Sequence, residues 1–439
     1  MKKTTSEIIK EIKKQKIQFI YLQFTDITGA LKSVSIIAEK LKDVIESGLW
    51  FDGSSIEGFA RIFESDMLLR PDLDTFCIIP WSEQGRKAAR LICDVYSPDN
   101  KPFAGDPRYI LKKIVEKAKL MGLTFNVGAE VEFFLLERNS GQPHDKKGYF
   151  DYTTVSRATD VCEWVMLALS HFGIEGEIYH HEVADGQHEV DIKYDKVLNS
   201  ADNIITLKTI IKAFAAPNTP LMATFMPKPF QGINGSGMHV HQSFFKGQRN
   251  IFYNPKDKYN LSQLAYHFIA GQMAHVKAIT AIVASTVNSY KRLVPGYEAP
   301  CYICWGTVNR SALIRIPMGS PNKRQVAARA ELRCPDPYCN PYLAFAVMLA
   351  AGLDGIQKKM KPHKPVEENV YHFDNSKLKE LKIDTLPSSL AEALDCLSAD
   401  EVIKDSLGPV IFESYMNAKR KEVEGFRLEV TPWESEHYL

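Results

Sequence analysis

Apolar positions along the chain follow two periods, one strand-like and one helical. Residues 17–36, IQFIYLQFTDITGALKSVSI, form two β-rich runs broken by a turn around Asp26–Gly29, and Leu91–Tyr96 reads as a further strand. Before them, Ile8, Ile9 and Ile12 lie on one face of a lysine-rich segment, the pattern of an amphipathic helix. After a loop rich in Pro and Asp, a helix start is well marked. Asp106 stands at the cap and Pro107 at the first helical position, followed by apolar Ile110, Leu111, Ile114, Val115 and Ala118, with Gly122 as the stop. This predicts a boundary near residue 105, between a small N-terminal β domain (1–105) and a larger domain (106–439). The remainder alternates short strands with long helices, predicted at about 159–172, 200–215, 262–288 and 341–357. Strands and helices in mixed order, without an internal repeat, predict an α+β fold.

Composition narrows the function classes. A chain of 439 residues has room for two or three domains, and 45% apolar with 24% charged residues is ordinary globular usage. Lys+Arg number 54 against Asp+Glu 53, a net charge of +1, which gives no support to a nucleic-acid or anionic-membrane surface. The longest apolar run, Leu343 to Leu353, has 11 residues, whereas a membrane span needs about 18 or more. The basic N-terminus lacks the apolar stretch of a secretory signal. Eight cysteines are too sparse for a disulfide framework. Cys301 and Cys304 have CxxC spacing, but Cys334 and Cys339 do not complete a zinc motif, so reduced thiols in a cytoplasmic protein are expected.

The informative chemistry lies in where acids and histidines fall on strands. Strand side chains alternate between faces, so residues two apart stand side by side. Glu130 and Glu132 therefore share a face, with Val131 and Phe133 behind them. His239 and His241 repeat the device, as do Arg329, Glu331 and Arg333, while Glu177, Glu182 and Glu189 bracket His180–His181. Any one such strand reads equally well as a solvent face. Four of them without a lysine on the polar face point instead to carboxylates gathered around a cation. Oxygen-rich sites with an occasional imidazole suit Mg²⁺ or Mn²⁺. Arg292, Arg310, Arg315, Arg329 and Arg333 offer planar forks for carboxylate or phosphate oxygens. Asn234-Gly-Ser-Gly allows backbone to approach a ligand closely, and the Walker motif GxxxxGK[ST] is absent. Metals and arginines without that loop suit phosphoryl transfer.

Seven segments in order then resemble class I glutamine synthetase: FDGSSIEGF (51–59), GAEVEFF (128–134), HHEVADGQHEVD (180–191), NGSGMHVHQS (234–243), KRLVPGYEAP (291–300), NRSALIRIP (309–317) and ELRCPDPYCNPYL (331–343). The resemblance spans essentially the whole chain. It implies a β-grasp-like N-terminal domain, a catalytic domain with a curved antiparallel sheet and surrounding helices, and ATP-dependent joining of ammonium to glutamate. A relative that joins glutamate to a polyamine or another amine is the alternative. By position, the resemblance assigns Glu132, Glu182 and Glu189 to a first Mg²⁺ or Mn²⁺ ion and Glu130, His239 and Glu331 to a second. Glutamate would be held by Asn234, Gly235, Arg292, Glu298 and Arg333. Arg310 and Arg315 would meet the transferred phosphoryl group, with Glu177, His241, Ser243 and Arg329 near the nucleotide. Asp52, Ser55, Tyr149 and Glu182 would form the ammonium side, with Asp52 as base and Glu298 on a closing loop. In the family the equivalent of Asp52 comes from a neighbouring subunit, which implies a homo-oligomer, a dodecamer of two stacked hexamers. Arg61 matches a position tied to glutamine feedback in one subgroup.

Overall fold

The computed structural model describes residues 3–54, 56, 66–81, 85–152, 156–215 and 219–439, so Ser55 and Arg61 lie outside the described residues. Thr4 and Glu7 close a reciprocal cap on α1 (Thr5–Gln15), which buries Ile8 and Ile12. The two β-rich runs become β1 (Phe19–Thr25) and β2 (Leu31–Ile37), paired antiparallel. Asp26 makes their turn by accepting the backbone N–H groups of Thr28 (2.9 Å) and Ala30 (3.0 Å) on one oxygen. After α2 (Leu41–Ser47) come β3 (Leu49–Asp52), β4 (Asp66–Pro71), β5 (Cys77–Ile78) and β6 (Ala88–Tyr96). They form a six-stranded sheet ordered β2-β1-β6-β4-β3, with β5 on β6. Among the described residues only β1 and β6 run parallel in it, and α1 packs Ile8 and Ile12 into a core with Ile20, Leu22, Leu69, Leu91 and Val95.

The second sheet is larger. α3 (Pro107–Leu120) starts where predicted, because Asp106 caps it and also accepts the Val95 N–H, tying the helix start to β6. There follow β7 (Thr124–Glu137), α4 (Arg157–His171), β8 (Gly176–His181), β9 (Gln187–Lys196), α5 (Val197–Phe214), β10 (Leu221–Thr224), β11 (Met238–Lys246) and β12 (Arg249–Asn250). Next come α6 (Gln263–Val283), α7 (Ser289–Arg292), β13 (Tyr302–Gly306), β14 (Ala312–Arg315), α8 (Arg324–Ala327), β15 (Ala330–Leu332) and α9 (Pro341–Gln357). Among the described residues nine strands run β13-β14-β15-β11-β7-β9-β8, with β10 on β7 and β12 on β11, and only β13/β14 is a parallel pair.

One helix departs from the sequence pattern. Helical spacing predicts 262–288, but α6 ends at Val283. The Val283 carbonyl accepts the Asp336 N–H, and Thr286 and Ser289 exchange backbone and hydroxyl bonds that start α7. The apolar run 343–353 is the middle of α9, buried all round against α6. Their backbones touch: a Cβ on Gly271 would lie 2.2 Å from the Ala351 carbonyl oxygen, and one on Gly355 2.2 Å from that of His267. No helix among the described residues is long and apolar enough to cross a membrane. All eight cysteines are free thiols, with Cys301, Cys304, Cys334 and Cys339 buried. Trp305 packs into the main core and donates its indole N–H to the His363 carbonyl.

The two sheets are joined by polar groups that neither could satisfy alone. Asn340 donates to the Asp26 carbonyl (3.0 Å), and Ile27 enters the core of the larger sheet. Arg108, 3% exposed, reaches Asp72 (2.8 Å) and Asp94 (2.7 Å) on one side and grips Asp202 of α5 with two N–H groups on the other. A guanidinium fork matches this arrangement of carboxylates. Arg108→Met is therefore expected to destabilise the chain by about 3–5 kcal/mol, because it leaves buried Asp202 and half-buried Asp72 without their cation, while Asp94 keeps Lys112. The denaturant midpoint of the full chain reads this; a loss below about 1 kcal/mol would show that the ion pairs are not what holds the sheets together.

Candidate active site

Register across adjacent strands sets the site. β8 pairs His180 with Glu189 of β9, and Glu189 faces Glu132 of β7. In the next row Asp191 faces Glu130, which faces His239 of β11. In a third, His241 faces Glu331 of β15, which faces Arg315 of β14. Acids and imidazoles chosen two apart along each strand thus become neighbours across strands. Val131 and Phe133 point the other way and are fully buried in the core, so the face is one-sided as predicted.

The rows open into a cleft of about 340 Å³. It takes in Glu130, Glu132, Tyr149, His180, Glu182, Glu189, Asp191, Asn234, Gly235, His239, Arg292, Glu298, Arg310, Arg315 and Arg333. Two compact donor groups meet it: Glu130 and His239 on its wall with Glu331 buried beside them, and His180 with Glu182 and Glu189. The first coincides with the second-ion set of the resemblance. In the other, His180 stands where the sequence reading has Glu132, with its Nε2 3.0 Å from Glu189. Glu132 turns one oxygen to the Gly237 N–H (2.8 Å) and the Gln187 amide (3.0 Å), leaving the other toward His239.

The electrostatics separate the carboxylates into two kinds. Burial works against a charged Glu130, but bonds donated by His239 (3.1 Å) and His241 (2.6 Å) outweigh it and hold this carboxyl well below its usual range. Glu331, fully buried, is likewise held down against burial, chiefly by Arg333, with Arg315 3.1 Å from its second oxygen. The other group is pushed up. Burial raises Glu132 to about 7, burial and the Glu132 charge raise Glu182 to about 8, and burial with Glu132 and Asp191 raises Glu189 to about 11. Asp191 rises to about 7 through burial and Glu130. Carboxylates crowded this way bind either protons or a cation between them. Oxygen donors with single imidazoles fit Mg²⁺ or Mn²⁺.

The arginines divide as well. Arg292, which the sequence alone would allow on the surface, is 3% exposed. It spends three N–H bonds on the carbonyls of Arg333, Cys334 and Pro335, leaving two N–H groups for other partners. The glycines of Asn234-Gly-Ser-Gly are there for this packing. A Cβ on Gly237 would sit 2.4 Å from the Arg292 guanidinium, and one on Gly235 2.2 Å from the Pro227 carbonyl oxygen. Arg333 is buried too, and its Nε–H has no partner among the described residues. As a lining residue of the cleft, its guanidinium suits an anionic ligand. Glu298 sits over the cleft with φ 56°, an uncommon backbone state for a glutamate, and Asn234 reaches its carboxylate at 3.3 Å. The Tyr371 hydroxyl donates to the neighbouring Ala299 carbonyl.

Some sequence candidates fall outside the cleft. Asp52 ends β3, exposed, and is not among the lining residues. Glu177 is exposed at an irregularity in the β8/β9 pairing, though its charge reaches Asp191 and Arg329. His241 and Ser243 continue the His239 face along β11, and Arg329 donates to His241 Nδ1 (3.1 Å). Tyr149 stacks on Phe150 and meets the His180 ring edge-on. Asp191 and His180 were not singled out as cleft groups from the sequence. Asp191 was within reach of the same rule, since Glu189 and Asp191 are two apart on one strand.

Comparison with known proteins gives this arrangement its relatives. Residues 16–98 match the glutamine synthetase β-grasp domain and 104–438 the glutamine synthetase catalytic domain. The Thermotoga maritima glutamine synthetase is 52% identical over 99% of both chains, and that of Methanocaldococcus jannaschii 49% identical over 100% of this chain and 99% of its own. A solved GmaS/ADP complex superposes with a TM-score of 0.90 at 31% identity, covering 100% of this chain and 99% of that one. The Plasmodium falciparum glutamine synthetase gives 0.89 at 26% identity, with the same coverage. Matched over both sheets and along nearly its full length, the chain belongs to the glutamine synthetase family.

Proposed function

We propose that the cleft joins ammonium to the side-chain carboxylate of L-glutamate, using ATP to make a γ-glutamyl phosphate first, and releases glutamine, ADP and phosphate. The observation that carries this is the facing of two carboxylate rows and a set of arginines within one cleft. Glu132, Glu182 and Glu189, with His180 beside them, would hold one Mg²⁺ or Mn²⁺ ion, and Glu130, His239 and Glu331 a second. When bound, such ions neutralise phosphate oxygens and draw charge toward the transferring group. Arg333 and Arg292 hold glutamate against Asn234 and Gly235. Arg310 and Arg315 stabilise charge on the phosphoryl group in flight. Glu177, His241, Ser243 and Arg329 line the nucleotide approach. Glu298, on the loop after Gly296, covers the acyl phosphate and excludes water.

Asp52 supplies the base that takes a proton from ammonium, with Ser55, Tyr149 and Glu182 around the cation. A bond from the Ser54 N–H (2.8 Å) holds the Asp52 carboxyl below its usual range, so it is ionised at neutral pH, as a base for a cation must be. Because Asp52 lies exposed outside its own chain's cleft, we assign it to the cleft of a neighbouring subunit in a homo-oligomer, a dodecamer of two stacked hexamers. We place the division between the domains at residue 105, feedback by glutamine at Arg61, and the reaction in the cytoplasm, where eight free thiols stay reduced.

ADP release with glutamate, ATP and Mg²⁺ tests the reading, with ammonium, methylamine and putrescine as competing acceptors. Ammonium is expected to stimulate most; release indifferent to every acceptor, or faster with putrescine, would refute it. Metal binding should depend on pH. Glu132 and Glu182 are protonated below about 7 and 8, and an ion must displace those protons. Mg²⁺ affinity is therefore expected to rise by more than about a hundredfold between pH 6 and pH 8, with proton release measurable by calorimetry in two buffers. Mixing two inactive variants tests the shared site. Asp52→Ala and Arg333→Ala, dissociated and reassembled together, should recover about a quarter of wild-type turnover, because random assembly pairs intact halves in that fraction; no recovery places Asp52 in its own chain's cleft.

A further inference from the structure

Behind the acidic rows lies a second cluster that the ligase chemistry does not use. His181 and His188 face each other across the β8/β9 hairpin, with ring centroids 4.8 Å apart. His144 arrives on the segment following β7, pinned by its N–H to the Leu135 carbonyl, and its ring stacks on His188. The three rings offer nitrogens that converge on one point, within 4.8 Å of one another. His144 Nε2 and His188 Nε2 are 2.9 Å apart. Asp145 closes the group, one oxygen 3.2 Å from His181 Nε2 and the other 3.4 Å from His144 Nε2. Donors around a tetrahedral ion with bonds of 2.0–2.1 Å stand about 3.3 Å apart; three contacts in the cluster fall near that value, with Asp145 meeting the two rings through different oxygens.

The surroundings hold the donors in that arrangement. His181 Nδ1 lies 2.7 Å from the Glu182 carbonyl, so Nδ1 carries the hydrogen and Nε2 presents its lone pair toward Asp145. An imidazole nitrogen and a carboxylate oxygen 3.2 Å apart are joined either by a proton or by a shared metal cation, and the two further rings facing the same space favour the metal. Asp145 is itself fixed by the Gly186 N–H at 2.9 Å, the kind of supporting bond that ligating carboxylates have. His181 and His188 are buried, and Phe133 packs against the His188 ring, so water competes little for the donors.

We propose that His144, His181, His188 and Asp145 form a binding site for one zinc-type divalent ion. Three imidazoles with a carboxylate beside them suit Zn²⁺ and disfavour Mg²⁺, the reverse of the oxygen-rich cleft. The site lies on the opposite side of the hairpin strands from Glu182 and Glu189, the immediate neighbours of His181 and His188 in the chain. It binds the segment leading to Tyr149 to that hairpin, as does the Phe150 N–H bond to the His181 carbonyl. Its role is structural: it sets the position of the hairpin that carries cleft carboxylates. Only that consequence rests on the proposed ligase reading; occupancy does not.

The test is Co²⁺ as a spectroscopic stand-in, added to the chelator-stripped full-length oligomer in saturating Mg²⁺. One equivalent per chain with the intense visible absorption of tetrahedral cobalt is expected, displaced by Zn²⁺. Glu132→Gln should keep this signal and His144→Gln should lose it. Absence of a tetrahedral spectrum in the wild type, or its survival in His144→Gln, overturns the proposal. Should His144→Gln fail to fold, Asp145→Asn decides: a shifted spectrum and at least tenfold weaker Co²⁺ binding support the site, and an unchanged titration refutes it. Failure of the ligase assay would leave this metal titration unaffected, so the two readings fail separately.

Discussion

Everything in the cleft depends on antiparallel register among β8, β9, β7, β11 and β15. Side chains alternate with period two, so a one-residue slip of any strand would send its acids into the core and its valines and phenylalanines into the cleft. The apolar side makes that slip costly. Val131 and Phe133 on β7, Val190 and Ile192 on β9, and Met238 and Val240 on β11 are all buried in one contiguous core. Hydrophobic packing on one face therefore specifies charge placement on the other.

The cost of this arrangement is electrostatic. Glu132, Glu182, Glu189 and Asp191 crowd one another in a partly desolvated space, and burial with mutual repulsion drives all four toward the protonated form. Glu130 and Glu331 escape this only because imidazoles and arginines compensate them. A fold optimised for stability would replace such a cluster with apolar residues of similar volume. Its persistence over several strands is better accounted for by cations that complete it, as function often keeps locally unfavourable groups in place.

Close backbone approach supplies the remaining precision. Gly237 admits the Arg292 guanidinium, and Arg292 in turn ties together three consecutive carbonyls that follow β15. The strand bearing Glu331 and the loop bearing Asn234 are thus braced through one buried side chain. Arg108 performs the equivalent task between the two sheets, joining the small sheet to α5 and so to the scaffold under β7 and β9. In both places a planar fork satisfies several oxygens at once, which a lysine could not do.

Local chemistry was legible from the chain alone. The cap at Asp106, the turn at Asp26, the burial of Ile8 and Ile12, and the shared face of Glu130 and Glu132 follow from periods and turn residues that act within a few positions. The mixed order of strands and helices pointed to the α+β class, and family resemblance added the β-grasp-like domain, the curved sheet and the ligase reading. Other features needed the folded chain because they arise between segments remote in sequence. α6 stops at Val283 because Asp336, about fifty residues on, takes its last carbonyl. Arg292 is buried because the glycines near 235 leave room for it, and His180 joins Glu182 and Glu189 because β8 pairs with β9 in one register. Asp52 stands outside its own cleft because the end of β3 leaves it at the surface. Periodicity decides which side of a strand a residue occupies; only pairing and packing decide what stands next to it, because those contacts have no fixed spacing along the chain.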